Sequence, residues 1–127
     1  MTGARRVLLV DDDPDILDSL KMLLEVCMEP RVEVVTAPSG VEGLEVLRGV
    51  PVDLIVSDYR MPGMSGAEFL ARARELAPQT PRLMISAYPE STLRDDVARA
   101  GVSGFLAKPM ETEAFLDATR RCLERPG

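Results

Sequence analysis

Val7-Leu8-Leu9-Val10-Asp11-Asp12-Asp13-Pro14 holds the transition that decides the fold. Four apolar residues in unbroken succession suit a short strand buried on both faces, because such a strand has no solvent side on which to alternate polar residues. The acids that follow mark its end. Asp13 is a good helix N-cap and Pro14 a good first helical residue, since proline lacks an N–H that would be unpaired there anyway. Ile16, Leu17, Leu20, Leu23, Leu24 and Cys27 then recur at the spacing of one helix face, and Pro30 stops the pattern.

The same alternation repeats along the chain. Val32 to Val35, Leu54 to Val56, Leu83 to Ile85 and Gly104 to Ala107 are further short apolar runs. A second helix is expected from Ser39, turning Val41, Leu44 and Leu47 inward until Gly49 and Pro51 break it. A third starts at the capping-box pair Ser65 and Glu68, buries Phe69, Leu70, Ala73 and Leu76, and ends before Pro78. A weaker fourth carries Leu93, Val97 and Ala100, and a fifth over Glu111 to Leu123 buries Phe115, Ala118 and Cys122 or Leu123. Alternating strands and helices with short connections require right-handed crossovers and a parallel sheet covered on both sides, a three-layer doubly wound α/β fold.

Composition narrows the function. The 127 residues suit one domain over 1–127, with its core at about 5–124. Apolar residues at 46% and charged residues at 28% fit a globular protein with a real core. A net charge of −6 opposes direct binding to nucleic acid, which needs clustered Lys and Arg. No apolar run is long enough to span a bilayer, and Met1 to Val10 is too short for a signal peptide, so no membrane partner and a cytoplasmic location are expected. Cys27 and Cys122 lack metal-ligand spacing and read as reduced, helix-buried small hydrophobes that could approach each other if the first and fifth helices pack side by side.

In an open parallel sheet, ligands gather at the carboxyl ends of the strands, where the strand order reverses. Asp11, Asp12 and Asp13 follow the first run, Asp58 the third, Ser86 the fourth and Lys108 the fifth. Acids crowded on one rim repel each other and must protonate or hold a cation. A hard divalent ion such as magnesium takes oxygen ligands and needs only one or two carboxylates beside phosphate oxygens. With that charge screened, an aspartate is able to attack a phosphoryl group, and Ser86 is able to donate to a phosphoryl oxygen.

Four segments, V-L-L-V-D-D-D-P, V-S-D-Y-R-M-P-G-M-S-G, M-I-S-A-Y and G-F-L-A-K-P, occur in order at the expected strand ends and resemble those of response-regulator receiver domains. The resemblance covers Arg6 to about Leu123. It implies a flavodoxin-like sheet with strand order 2-1-3-4-5. It further implies that Asp58 is the phosphoacceptor, that Asp11, Asp12, Asp58 and the main-chain carbonyl of Arg60 hold Mg2+ (with Mn2+ as substitute), and that Lys108 pairs with the phosphate across a cis Lys108–Pro109 bond. Ser86 and Phe105 become the switch residues, Ala87 leaves the site accessible, and Arg60 and Tyr88 tune the lifetime of the phosphate. The implied donor is a histidine kinase or histidine phosphotransfer protein. Output passes to a downstream protein effector through the face of the fourth helix, fifth strand and fifth helix, from a monomer or a phosphorylation-dependent homodimer. A receiver acts only on its own phosphorylation and dephosphorylation, so it is not a conventional enzyme.

Each residue also has an ordinary reading. Asp11 to Asp13 could simply favour the positive end of a helix, Asp58 could be a turn residue, Ser86 a strand-end hydroxyl and Phe105 core. Lys108 could be a structural lysine with an exposed head, although it is one of two lysines among thirteen arginines. Met61, Met64 and Met84 read as packing residues. Asp11-x-Asp13-x-Asp15 opens like a calcium loop, but Ile16 stands where the turn glycine belongs and Met22 where the closing Glu belongs. The principal enzymatic alternative is a magnesium phosphohydrolase of haloacid-dehalogenase type with Asp11 as nucleophile. A contact-only pseudo-receiver is the third reading, against which the full set of acids, Ser86 and Lys108 all count.

Overall fold

Each apolar run is a strand in the computed structural model, which describes residues 5–124. Met1 and the Arg125-Pro126-Gly127 tail lie outside the described residues. The strands are β1 (Arg5–Val10), β2 (Val32–Ala37), β3 (Leu54–Asp58), β4 (Arg82–Ser86) and β5 (Gly104–Ala107). Between and after them come α1 (Pro14–Cys27), α2 (Gly40–Gly49), α3 (Gly66–Leu76), α4 (Arg94–Ala100), introduced by a 3-10 turn at Glu90–Leu93, and α5 (Thr112–Glu124). All strand pairs are parallel and the order is β2-β1-β3-β4-β5. The fold class and strand order match the expectation.

Both faces of the sheet are covered, which explains the unbroken apolar runs. Along β1, Val7 and Leu9 join the core layer beneath α1 and α5, while Leu8 and Val10 join the layer beneath α2, α3 and α4. Asp13 caps α1 by accepting from the Asp15 N–H at 2.9 Å, with Pro14 as its first residue. Ser39 and Ser65 cap α2 and α3 in the same way, accepting from Glu42 and Glu68. Met84 is fully buried, and Met61 and Met64 pack against the same layer, as expected of packing residues. Among the described residues, no helix is long and apolar enough to cross a membrane.

Three inward assignments are corrected. Cys27 is exposed, so it is not a buried hydrophobe: Leu17, Leu24 and then Met28 carry the inner line of α1, one position past the helix end. Cys122 is buried beside β5, where a side chain at Gly104 would touch its Sγ. Val41 is exposed because α2 turns Gly40, Gly43 and Leu44 inward. A Cβ at Gly43 would come within 2.8 Å of the Phe69 ring, so glycine is what brings α2 close to α3. Leu76, in the last position of α3, is exposed as well; the buried set of that helix is Gly66, Ala67, Phe69, Leu70 and Ala73.

Candidate functional site

The strand order reverses between β1 and β3, and there the acids meet. Asp11 and Asp12 leave the end of β1, and Asp58 closes β3. One carboxylate oxygen from each lies within 4.8 Å of the others. Asp11 and Asp58 are buried and Asp12 is exposed. Asp58 and Ser86 are the last residues of their strands rather than the first of the loops, so their backbones are held by the sheet ladder. Tight packing fixes the site from behind: a side chain at Gly66, the first residue of α3, would overlap the carbonyl oxygen of Asp58.

Burial pushes the Asp11 carboxyl above its ordinary value. The Asp13 N–H, donating to it at 2.9 Å, opposes that rise, and the Asp58 charge adds to it. The cluster is therefore short of positive charge. Lys108 supplies one unit, its Nζ lying 2.7 Å from Asp58 Oδ1. The Lys108 N–H donates to the Ser86 carbonyl at 2.7 Å, which fixes the start of the β5–α5 loop against the end of β4, and the Lys108–Pro109 bond is cis. Two buried carboxylates, a third at the surface and only oxygen donors form a set suited to a hard divalent cation, and no softer ligand is among them.

The other expected residues surround this center without all touching it. Ser86 is fully buried and its Oγ accepts from the Tyr88 N–H at 2.8 Å, so its hydroxyl proton remains available. Ala87 is exposed and lines, with Asp11, Ile16, Leu20, Lys108 and Met110, a groove of about 640 Å³ beside the acids. Phe105 lies opposite Met84 in the β4–β5 ladder and is only partly buried, against the α3–α4 layer. The Arg60 guanidinium reaches across the loops to donate to the Tyr88 hydroxyl at 2.6 Å.

Two groups had no signal in the apolar pattern. Tyr59 donates its hydroxyl to Asp96 of α4 at 2.7 Å, and this bond raises the Tyr59 phenol above its ordinary value. Arg82 is buried at the start of β4, where its guanidinium donates to the carbonyls of Thr80, Ala100 and Gly101 at 2.8–3.1 Å. Burial lowers its pKa, with Arg74 adding to the effect. The only sequence cue to Arg82 is an arginine directly ahead of an apolar run.

Residues 7–120 match the family model described as the response regulator receiver domain. The chain belongs to this family. The receiver is 39% identical over 121 residues to the transcriptional regulatory protein GlrR of Escherichia coli K12, covering 94% of this chain and 26% of that protein. It is 36% identical to an uncharacterized 14.6 kDa protein of Leptolyngbya boryana, covering 94% of this chain and 92% of that one. A CheY-like receiver domain protein from Methanospirillum hungatei superposes with a TM-score of 0.88 at 30% identity, covering 96% of this chain and 95% of that one. The receiver spans about a quarter of the length of the first transcriptional regulators it matches. Receiver domains are signalling domains of two-component systems that bind Mg2+ at an acidic site of this kind.

Proposed function

We propose that this receiver takes a phosphoryl group from a phosphohistidine donor onto Asp58 and thereby switches a partner-binding surface. The carrying observation is the Asp58–Lys108 contact of 2.7 Å, set among the three clustered acids at the switch point of the sheet. An Asp58 carboxylate oxygen forms the new P–O bond as the P–N bond to the donor imidazole breaks, and the imidazole leaves with the bonding pair and takes up a proton. Asp11, Asp12, Asp58 and the Arg60 carbonyl would hold Mg2+, or Mn2+ in its place, which when bound neutralizes charge on the phosphoryl oxygens. Lys108 then turns from the carboxylate to the phosphoryl group. Ser86 donates its hydroxyl to a phosphoryl oxygen, and Phe105, only partly buried in the starting state, turns into the space that Ser86 leaves.

The donor is a histidine kinase or histidine phosphotransfer protein in the cytoplasm, and the output goes to a downstream protein effector. Intact-mass spectrometry after incubation with acetyl phosphate tests the site. A single Mg2+-dependent adduct of one phosphoryl group, hydroxylamine-sensitive and absent from Asp58→Asn, is expected. An adduct that persists in Asp58→Asn would move the nucleophile to another acid, with Asp11 the first to examine.

A further inference from the structure

Helix α4 is the least embedded helix of the receiver. It buries a single residue, Ala100, and packs chiefly on α3 and on the 3-10 turn before it. Its start lacks a side-chain cap. A helix with so little buried apolar surface belongs to the low-stability end of a fold, and two polar tethers add to the packing of α4. At its C-terminal end, Arg82 donates to the Ala100 and Gly101 carbonyls, and Gly101 takes the left-handed conformation (φ 60°) that closes the helix. In its first turn, Asp96 accepts the Tyr59 hydroxyl hydrogen bond.

The second tether leads to the phosphoacceptor. Tyr59 directly follows Asp58, and its backbone is fixed on both sides: its N–H donates to the Ile85 carbonyl, and its carbonyl accepts from the Gly66 N–H. Its ring meets the Tyr88 ring edge-on, with centroids 6.1 Å apart. The Tyr88 N–H in turn donates to Ser86 Oγ. An inward movement of the Ser86 hydroxyl therefore pulls on Tyr88, disturbs the Tyr59–Tyr88 packing and strains the bond to Asp96.

We propose that α4 is a lever pivoted at Arg82 and latched by the Tyr59–Asp96 hydrogen bond, and that phosphorylation of Asp58 opens the latch. The coupling to phosphorylation rests on the reading of Asp58 as phosphoacceptor; the latch itself does not. Each link is a direct contact, so the chain from Ser86 to α4 is contiguous, and the proposed second arrangement of α4 is the one that phosphorylation favours.

Amide hydrogen exchange resolved over Arg94–Ala100 tests both parts. Without phosphorylation, Tyr59→Phe is expected to exchange about tenfold faster across α4, the scale of one lost hydrogen bond, while α3 stays at the wild-type rate. Asp96→Asn keeps an acceptor but removes the carboxylate that pairs with Arg99, and should stay near wild type; Asp96→Ala should match Tyr59→Phe. Beryllofluoride with Mg2+ should bring wild-type α4 up to the Tyr59→Phe rate and add little to the variant. Wild-type exchange in unphosphorylated Tyr59→Phe, or acceleration spread equally over α3, would overturn the latch. Failure of wild type to take up a phosphoryl group at Asp58 in the mass measurement would instead overturn the coupling, with the variant comparison still deciding the latch.

Discussion

Helices α3 and α4 lie side by side on the same face of the sheet, yet they are held in opposite ways. Helix α3 buries five residues, starts at a serine cap and abuts the Asp58 backbone through Gly66. Helix α4 buries one and depends on Arg82 and Tyr59. Close packing resists small displacements because neighbouring atoms are already in contact, whereas a hydrogen bond weakens steeply once its geometry departs from the ideal. The receiver thus places a well-embedded helix behind Asp58 and a sparsely embedded one next to it.

The comparison breaks most visibly at Phe69. Phe69→Ala removes a fully buried ring by which α3 packs on α2, and we expect a loss of about 4 kcal/mol in urea unfolding. If the loss were under about 1 kcal/mol, α3 would not be the well-embedded helix described. Arg82→Met comes next. It removes the donors that satisfy the last carbonyls of α4 but also relieves the burial of a charge with no carboxylate partner among the described residues, so a net loss of about 2 kcal/mol is expected, with α4 amides deprotected before those of α3. Equal deprotection of both helices would remove the distinction between them.

The smallest effect is expected to be common to both helices. Asp11 has a folded-state pKa above its ordinary 3.8, so over the interval between those values the folded chain binds more protons than the unfolded one. Its contribution to stability is fully present below pH 3.8 and is lost as pH rises through the raised value. In metal-free protein, Asp11→Asn should therefore unfold at a higher denaturant midpoint than wild type at pH 7, and the difference should shrink toward pH 3.8. A wild-type midpoint equal to or above that of Asp11→Asn at pH 7 would contradict the cost of burying this carboxylate in its charged form.

How much of this was legible in the sequence depended on the kind of interaction. The strands followed from runs such as Val7–Val10, because burial on both faces leaves an unmistakable apolar block, and their order followed from the resemblance of the four strand-end segments to receiver domains. The acids and Lys108 were legible as well, since a doubly wound sheet fixes where strand ends must meet, and the structure brings Asp11, Asp12, Asp58 and Lys108 together as anticipated. Helix phase was read less well. Val41 and Leu76 are large and apolar yet exposed, while Gly40 and Gly43 face inward, where the lack of a side chain is what allows contact. A count of hydrophobic residues is blind to glycine used in this way. Arg82 and the Tyr59–Asp96 bond escaped for a related reason: a buried arginine serving carbonyls and a phenol reaching a carboxylate 37 positions away leave no periodic trace.

The exposure of Cys27 has a practical consequence. The chain has two cysteines, and the other, Cys122, is buried. A maleimide dye added to the native fold should therefore react at one place, the C-terminal end of α1. Fourteen residues of helix set that end roughly 20 Å from the acids at its start. A fluorophore there stands clear of the acidic rim and reports tumbling and assembly of the wild-type sequence, with no cysteine replaced.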